Sequence, residues 1–119
     1  MNQKKFVGNW AEAQAARFLL AKNWKLLGQN VQLGQLEIDL IMQDVKQNEL
    51  VFVEVKFRTS SDFGGAELSI NRRKLLAMRR AAGKYCREFG ISRPWRIDFV
   101  AITGHHLSHF PNITWEMVK

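Results

Sequence analysis

Residues Leu36 to Arg58 read LEIDLIMQDVKQNELVFVEVKFR, two apolar runs split by a short polar segment. Each run carries acid where a half-buried strand has no use for it. The first holds Glu37 and Asp39; the second holds Glu54, with Lys56 two residues on. Strand side chains alternate between faces, so residues two apart share one. Val51, Val53, Val55 and Phe57 make one apolar face, and Phe52, Glu54, Lys56 and Arg58 the opposite one. In the first run Leu36, Ile38, Leu40 and Met42 group together, against Glu37, Asp39 and Ile41. A hairpin with its loop centred between Lys46 and Gln47 sets Asp39 opposite Glu54. Directly opposed residues have Cβ atoms roughly 4.5–5.5 Å apart, so two ionised carboxylates there repel unless a cation stands between them. The pattern leaves a one-residue slip open, and such a slip would flip one face relative to the other.

Working outward, Trp24 to Leu33 is predicted as a strand, interrupted by Gly28 and ended by Gly34. Before it, Val7 to Lys22 has the spacing of a helix: Val7, Ala11, Ala15, Phe18 and Lys22 recur every three or four residues, with Leu19 beside Phe18. Glu12 stands next to that stripe, and by position alone it reads as a solvated helix glutamate. After Arg58, residues 59–65 (TSSDFGG) read as a flexible loop, either a plain connection or a cover for a ligand. Asn71 to Phe89 is the clearest helix, with Leu75, Met78, Ala82, Tyr85 and Phe89 in one stripe. Ser69 or Asn71 is placed to cap its start, and Gly90 fits just past its end. Trp95 to Thr103 is a further strand, and Leu107 to Trp115, which contains Pro111, suits an edge. The order is helix, three strands, helix, two strands. It predicts an α/β domain over residues 1–119, with a mixed central sheet flanked by helices.

The chain has 119 residues, 46% of them hydrophobic and 24% charged, which fits one soluble domain with one core. Its net charge of +7 and pI near 10.0 favour a polyanionic partner, nucleic acid before anionic membrane. Cys86 is the lone cysteine, which excludes an internal disulfide and a Cys-rich zinc site, and reads as a buried thiol in a reducing compartment. No apolar run approaches the ~18 residues of a membrane span. Met1 to Gly8 has no apolar core of a secretory signal. A cytoplasmic protein is expected.

Two carboxylates with little soft chemistry around them make a hard oxygen site suited to Mg²⁺ or Mn²⁺. Asp39 and Glu54 are the candidate ligands, and the backbone carbonyl of Val55 can add another. Lys56 can orient or deprotonate a water, or stabilise charge on a phosphate. Seven of the 18 Lys and Arg residues fall in the second helix, against the single acid Glu88. Arg72, Arg73, Lys74, Arg79 and Arg80 there, with Arg58 after the hairpin, are the candidate nucleic-acid contacts. Together these parts describe metal-assisted hydrolysis of a phosphodiester. The competing reading is a surface Glu–Lys ladder, common and worth little. His105, His106 and His109 read as surface residues in a turn region. Trp10, Trp24, Trp95 and Trp115 read as core.

The D-x14-E-x-K arrangement of Asp39, Glu54 and Lys56 resembles the PD-(D/E)xK signature of the restriction-endonuclease-like fold. The chain from Gly8 to Trp115 more specifically resembles the bacterial YraN-like family. The matching pieces are Gly8-x-x-Ala11-Glu12, Asn30, Glu37-Ile38-Asp39-Leu40-Ile41, Phe52-Val53-Glu54-Val55-Lys56-x-Arg58, Phe63-Gly64, Lys74 and Arg96-x-Asp98. Three positions depart from the pattern. Leu36 stands where the family has Gly, Ala11 likewise, and Ile38 replaces the proline of the general signature. That family is similar to archaeal Holliday junction resolvases. The resemblance implies a restriction-endonuclease-like fold and a Mg²⁺- or Mn²⁺-dependent endonuclease acting on DNA, branched or junction DNA included. It implies metal ligation by Asp39 and Glu54, with Lys56 as the catalytic lysine and Glu12 as a further acid brought to the site by the first helix. It leaves room for a homodimer, which cutting paired strands would require. The alternative is a non-catalytic nucleic-acid-binding module of the same fold.

Overall fold

The computed structural model describes residues 3–58 and 68–118. Its elements are α1 (Gln3–Leu20), β1 (Lys25–Leu33), β2 (Leu36–Asp44), β3 (Glu49–Arg58), α2 (Arg72–Glu88), β4 (Trp95–Thr103) and β5 (His106–Phe110). The five strands form one sheet in the order β1-β2-β3-β4-β5. Only β3 and β4 run parallel, because α2 lies between them in the chain and a parallel return needs such a crossover. The architecture is α/β with a mixed five-stranded sheet, compatible with a restriction-endonuclease-like fold. The expected loop at 59–65 lies outside the described residues. Among the described residues no helix is long and apolar enough to cross a membrane.

The sheet buries both faces, each under one helix. On one side Ala11, Ala15, Ala16 and Leu19 of α1 pack with Leu40, Met42, Val51, Val53, Val100 and Ile102. Three alanines in that stripe let α1 lie close on the strands. The expected apolar stripe of α1 is therefore turned slightly: Leu19 faces the sheet, while Phe18 is partly exposed. Asn23, at φ 66°, ends that helix in the left-handed conformation that asparagine tolerates. On the other side Leu75, Met78, Ala82 and Cys86 of α2 cover Ile38, Ile41, Phe52, Ile97 and Phe99. Asn71 caps α2 by accepting the amide hydrogen of Lys74 at 2.7 Å, and Gly90 follows with φ 62°. The stripe of α2 ends on Cys86 rather than Phe89, which is exposed.

The hairpin register is the expected one from Leu40↔Val53 to Asp44↔Glu49. Its alternation then breaks. Ile38 joins Ile41 on the α2 side, while Leu40 and Met42 face α1. The four residues Leu36, Ile38, Leu40 and Met42 therefore do not share a face. The slip falls at Asp39, where β2 leaves the β3 ladder. The β1 residue across from it, Asn30, sits at φ 51°. A left-handed residue facing the end of a ladder lets the strand turn over locally.

Candidate active site

Where the β2–β3 ladder ends, a side chain takes the place of a backbone bond. Asp39 Oδ2 accepts the amide hydrogen of Val55 at 2.7 Å. Asp39 and Glu54 thus do not face each other as a ladder pair, yet they come close enough to share a proton. The polarity of β3 follows from its ends. Leu50 donates to Pro94 and Arg58 accepts from Gly104, so its even-numbered residues bond to the β4 side. The odd-numbered ones turn to β2. The Val55 carbonyl therefore points toward the gap that Asp39 fills.

Glu54 projects from β3 under α2 and is 4% exposed. Two lysines reach it from different elements: Lys74 Nζ of α2 at 3.5 Å and Lys56 Nζ at 3.9 Å from Oε2. Lys74, read from sequence as a phosphate contact, is thus closer to the carboxylate than Lys56. Lys56 is half-exposed and so free to swing toward a ligand. Burial raises the Glu54 carboxyl from its usual 4.5 to about 7, helped by the charge of Asp39 and the hydrogen bond between them; Lys74 and Lys56 pull downward without offsetting this. Glu12 rises likewise to about 7, through burial first and then the charges of Asp39 and Glu37. Helix α1 brings this partly buried acid into the field of the strand pair. Glu37 itself is exposed.

Among the described residues no three Asp, Glu, His or Cys side chains converge on one point. Of the candidate acids, Asp39 and Glu54 meet. Crowded carboxylates that hold a proton near neutrality are a set that a cation would relieve. Hard oxygens, with the Val55 carbonyl turned the same way, fit Mg²⁺ or Mn²⁺. A readout independent of activity follows. Glu54 binds its proton more tightly folded than unfolded. Its contribution to stability is therefore full below about pH 4.5 and lost as pH rises through about 7. At 1.36 kcal/mol per pKa unit the loss is about 3 kcal/mol. Glu54→Gln is expected to flatten this fall and to raise the melting temperature at pH 8 by about 10 °C. Glu12 keeps a residual slope. A melting-temperature profile as steep as the wild type's would show that Glu54 is not the strained acid.

The remaining candidates are more dispersed. Arg58, Arg72, Arg73 and Arg80 are exposed, and Arg79 is half-buried with its guanidinium over the Trp115 ring. Trp115 and Trp10 are exposed, contrary to a core role for all four tryptophans; Trp24 is buried and Trp95 half-buried. Trp10 lies edge-on to Phe57. The histidines do not form a set. His105 and His106 are exposed, while His109, expected at the surface, has a side chain only 8% exposed and sits 2.7 Å from Asp98. Cys86 is buried, as expected for a small thiol.

Residues 11–102 match the family described as "Uncharacterised protein family UPF0102". The chain is 41% identical over 100 residues to a "UPF0102 protein" of Shewanella amazonensis, covering 84% of this chain and 91% of that one. It is 41% identical over 105 residues to a "UPF0102 protein" of Nitrosomonas eutropha, covering 88% and 89%. A "UPF0102 protein" of Shewanella loihica is 36% identical over 105 residues, covering 88% and 90%. The matched span holds Glu12, Asp39, Glu54, Lys56 and Lys74 together, and the chain belongs to UPF0102, the YraN family.

Proposed function

We propose that this protein is a Mg²⁺- or Mn²⁺-dependent endonuclease that hydrolyses phosphodiester bonds in DNA, branched or junction DNA included. The observation that carries the reading is Glu54: a nearly buried carboxylate beside Asp39, approached by lysines from a strand and from a basic helix. A structural ion pair needs neither the second carboxylate nor the second lysine. Asp39, Glu54 and the Val55 carbonyl would hold the cation. When bound, it would supply Lewis acidity, neutralising charge on the phosphate and making water a better nucleophile.

The chain's own groups do the rest. Lys56, mobile at the solvent side, orients the attacking water or takes up charge developing on the phosphate oxygens. Lys74 holds Glu54 from the helix side and keeps its carboxylate turned to Asp39. Glu12, half-protonated near neutral pH, can give a proton to a leaving oxygen. Arg58 and the arginines of α2 hold the polyanion. A cytosolic setting goes with this reading, and cutting both strands of a symmetric substrate would call for a homodimer.

The test is a panel of end-labelled linear, flapped and four-way DNA, incubated with Mg²⁺ or Mn²⁺ and, as control, with EDTA. Metal-dependent products on at least one substrate are expected. If none appears with either metal, the enzymatic reading is wrong. The binding-module alternative then predicts affinity that falls steeply with salt and is unchanged by Asp39→Ala.

A further inference from the structure

A second place on α2 has the chemistry of a ligand site. Arg72, Leu76 and Arg79 form one line along the helix, and the C-terminal segment lies across them with Trp115, Glu116 and Met117. Between them is an open cavity of about 400 Å³, within the roughly 300–1,000 Å³ of ordinary ligand sites. Trp115 is 72% exposed although it is the largest side chain there. One face of its indole carries the Arg79 guanidinium, 4.8 Å from the ring centre. Among the described residues neither Arg72 nor Arg79 pairs with a carboxylate, and Arg79 Nε is buried without a hydrogen-bond partner.

We propose that this cavity holds an unpaired nucleotide of the nucleic-acid substrate, its base stacked on the free face of Trp115 and its phosphate at Arg72. The donor set selects this occupant. A bare phosphate would be held by the arginines but repelled by Glu116. A nucleotide uses all three groups: the indole takes a flat ring, the arginines take a phosphate, and the carboxylate accepts from a base's amino or imino hydrogens. A paired base offers no free face and no free Watson–Crick edge, so the ligand is single-stranded or flipped out of its duplex.

The cavity and the carboxylates lie on opposite flanks of α2, since residues two apart on a helix point to different sides. Arg72 lies two residues from Lys74, whose Nζ is 3.5 Å from Glu54. The two sites therefore flank the first turn of one helix. A strand that leaves a duplex and passes over the start of α2 can place an unpaired nucleotide in the cavity while a phosphate several nucleotides along lies beside Lys56 and Lys74. This deepens the nuclease reading and rests on it: the substrate would be DNA with unpaired nucleotides within a few nucleotides of the cut, such as a flap or a frayed branch.

The experiment is fluorescence anisotropy of the full chain in EDTA, with a labelled 12-nucleotide single strand of mixed sequence and the matching duplex. Trp115→Ala is expected to weaken single-strand binding about tenfold, the size of one lost stack, and to change duplex binding less than twofold. Trp115→Phe should restore most of the affinity. The melting temperature of each variant verifies folding, which an exposed side chain should not disturb. Equal losses on both probes, or no loss on the single strand, would overturn the assignment of the cavity while leaving the cleavage test untouched. A wild-type chain that binds neither probe at low salt would remove the nucleic-acid reading as well.

Discussion

Asp39→Ala and Glu54→Ala are each expected to lower metal-dependent cleavage at least a thousandfold. A divalent cation supplies several kcal/mol of transition-state stabilisation, and each 1.36 kcal/mol is tenfold in rate. Losing either carboxylate removes half of the side-chain donor set, so about 4 kcal/mol is a moderate demand. Single-turnover rates at saturating DNA separate this loss from weaker binding. Lys56→Ala should cost less, about a hundredfold, because Lys74 leaves a second ammonium at Glu54. Asp39 needs one more variant, since it also accepts the Val55 amide hydrogen. Asp39→Asn keeps an acceptor there and gives up the charge. Were Asp39→Asn as active as the wild type while Asp39→Ala was dead, Asp39 would be a brace for the split strands, not a ligand. The melting temperature offers a parallel reading. Mg²⁺ should raise it at pH 7.5 in the wild type and leave Glu54→Gln and Asp39→Asn unmoved.

Much of this site could be read from the sequence because its information is local. The hairpin register rested on a turn and two alternating runs, and the structure keeps it from Leu40 to Asp44. The cap of α2 was visible because Asn71 and Gly90 act within their own turn. The failures share a cause: each depends on a partner distant in the chain. Asp39 leaves the alternation because Val55, sixteen residues on, offers it an amide hydrogen. Nothing in LEIDLIM announces that exchange. His109 is buried because Asp98 and Trp24 close around it; its neighbours in sequence suggested only a turn. Lys74 looked like one cation among seven until the helix was laid on the sheet. Its place three residues after the capping Asn71, at the start of the apolar stripe, was the available signal that it points inward. Trp115 gave none, since an exposed tryptophan and a core one look alike in a short apolar segment.

Removing Arg96 is expected to be the most destabilising single change outside the apolar core. This side chain is the hub of a buried cluster on the α1 face of the sheet. Its Nε donates to Asp98 Oδ1 at 2.9 Å, and its Nη1 donates to Asp44 at 3.1 Å and Glu49 at 3.0 Å. It ties β4 to the far ends of β2 and β3, with the Trp24 ring 5.1 Å from its guanidinium. Asp98, wholly buried, also accepts the Asn112 amide hydrogen at 2.9 Å and lies 2.7 Å from His109 Nε2. Lys22 Nζ, which can only donate, faces the other ring nitrogen at 3.2 Å, so the Nε2 hydrogen goes to Asp98. Arg96→Ala leaves two buried carboxylates without their cation, a loss of about 3–5 kcal/mol, against a total stability of roughly 5–15 kcal/mol for ordinary domains. The pH dependence identifies the cause. Burial alone would raise the Asp98 carboxyl, but the bonds from His109, Arg96 and the Asn112 backbone outweigh it and hold it below its usual 3.8. Its contribution is thus present above about pH 4 and lost as pH falls further. In Arg96→Ala the stranded acids can take up protons, so the deficit should be full at pH 7 and clearly smaller at pH 4.5. Urea unfolding at both values measures it. A deficit that is the same at both would mean that lost packing against Trp24, not stranded charge, is what Arg96 prevents.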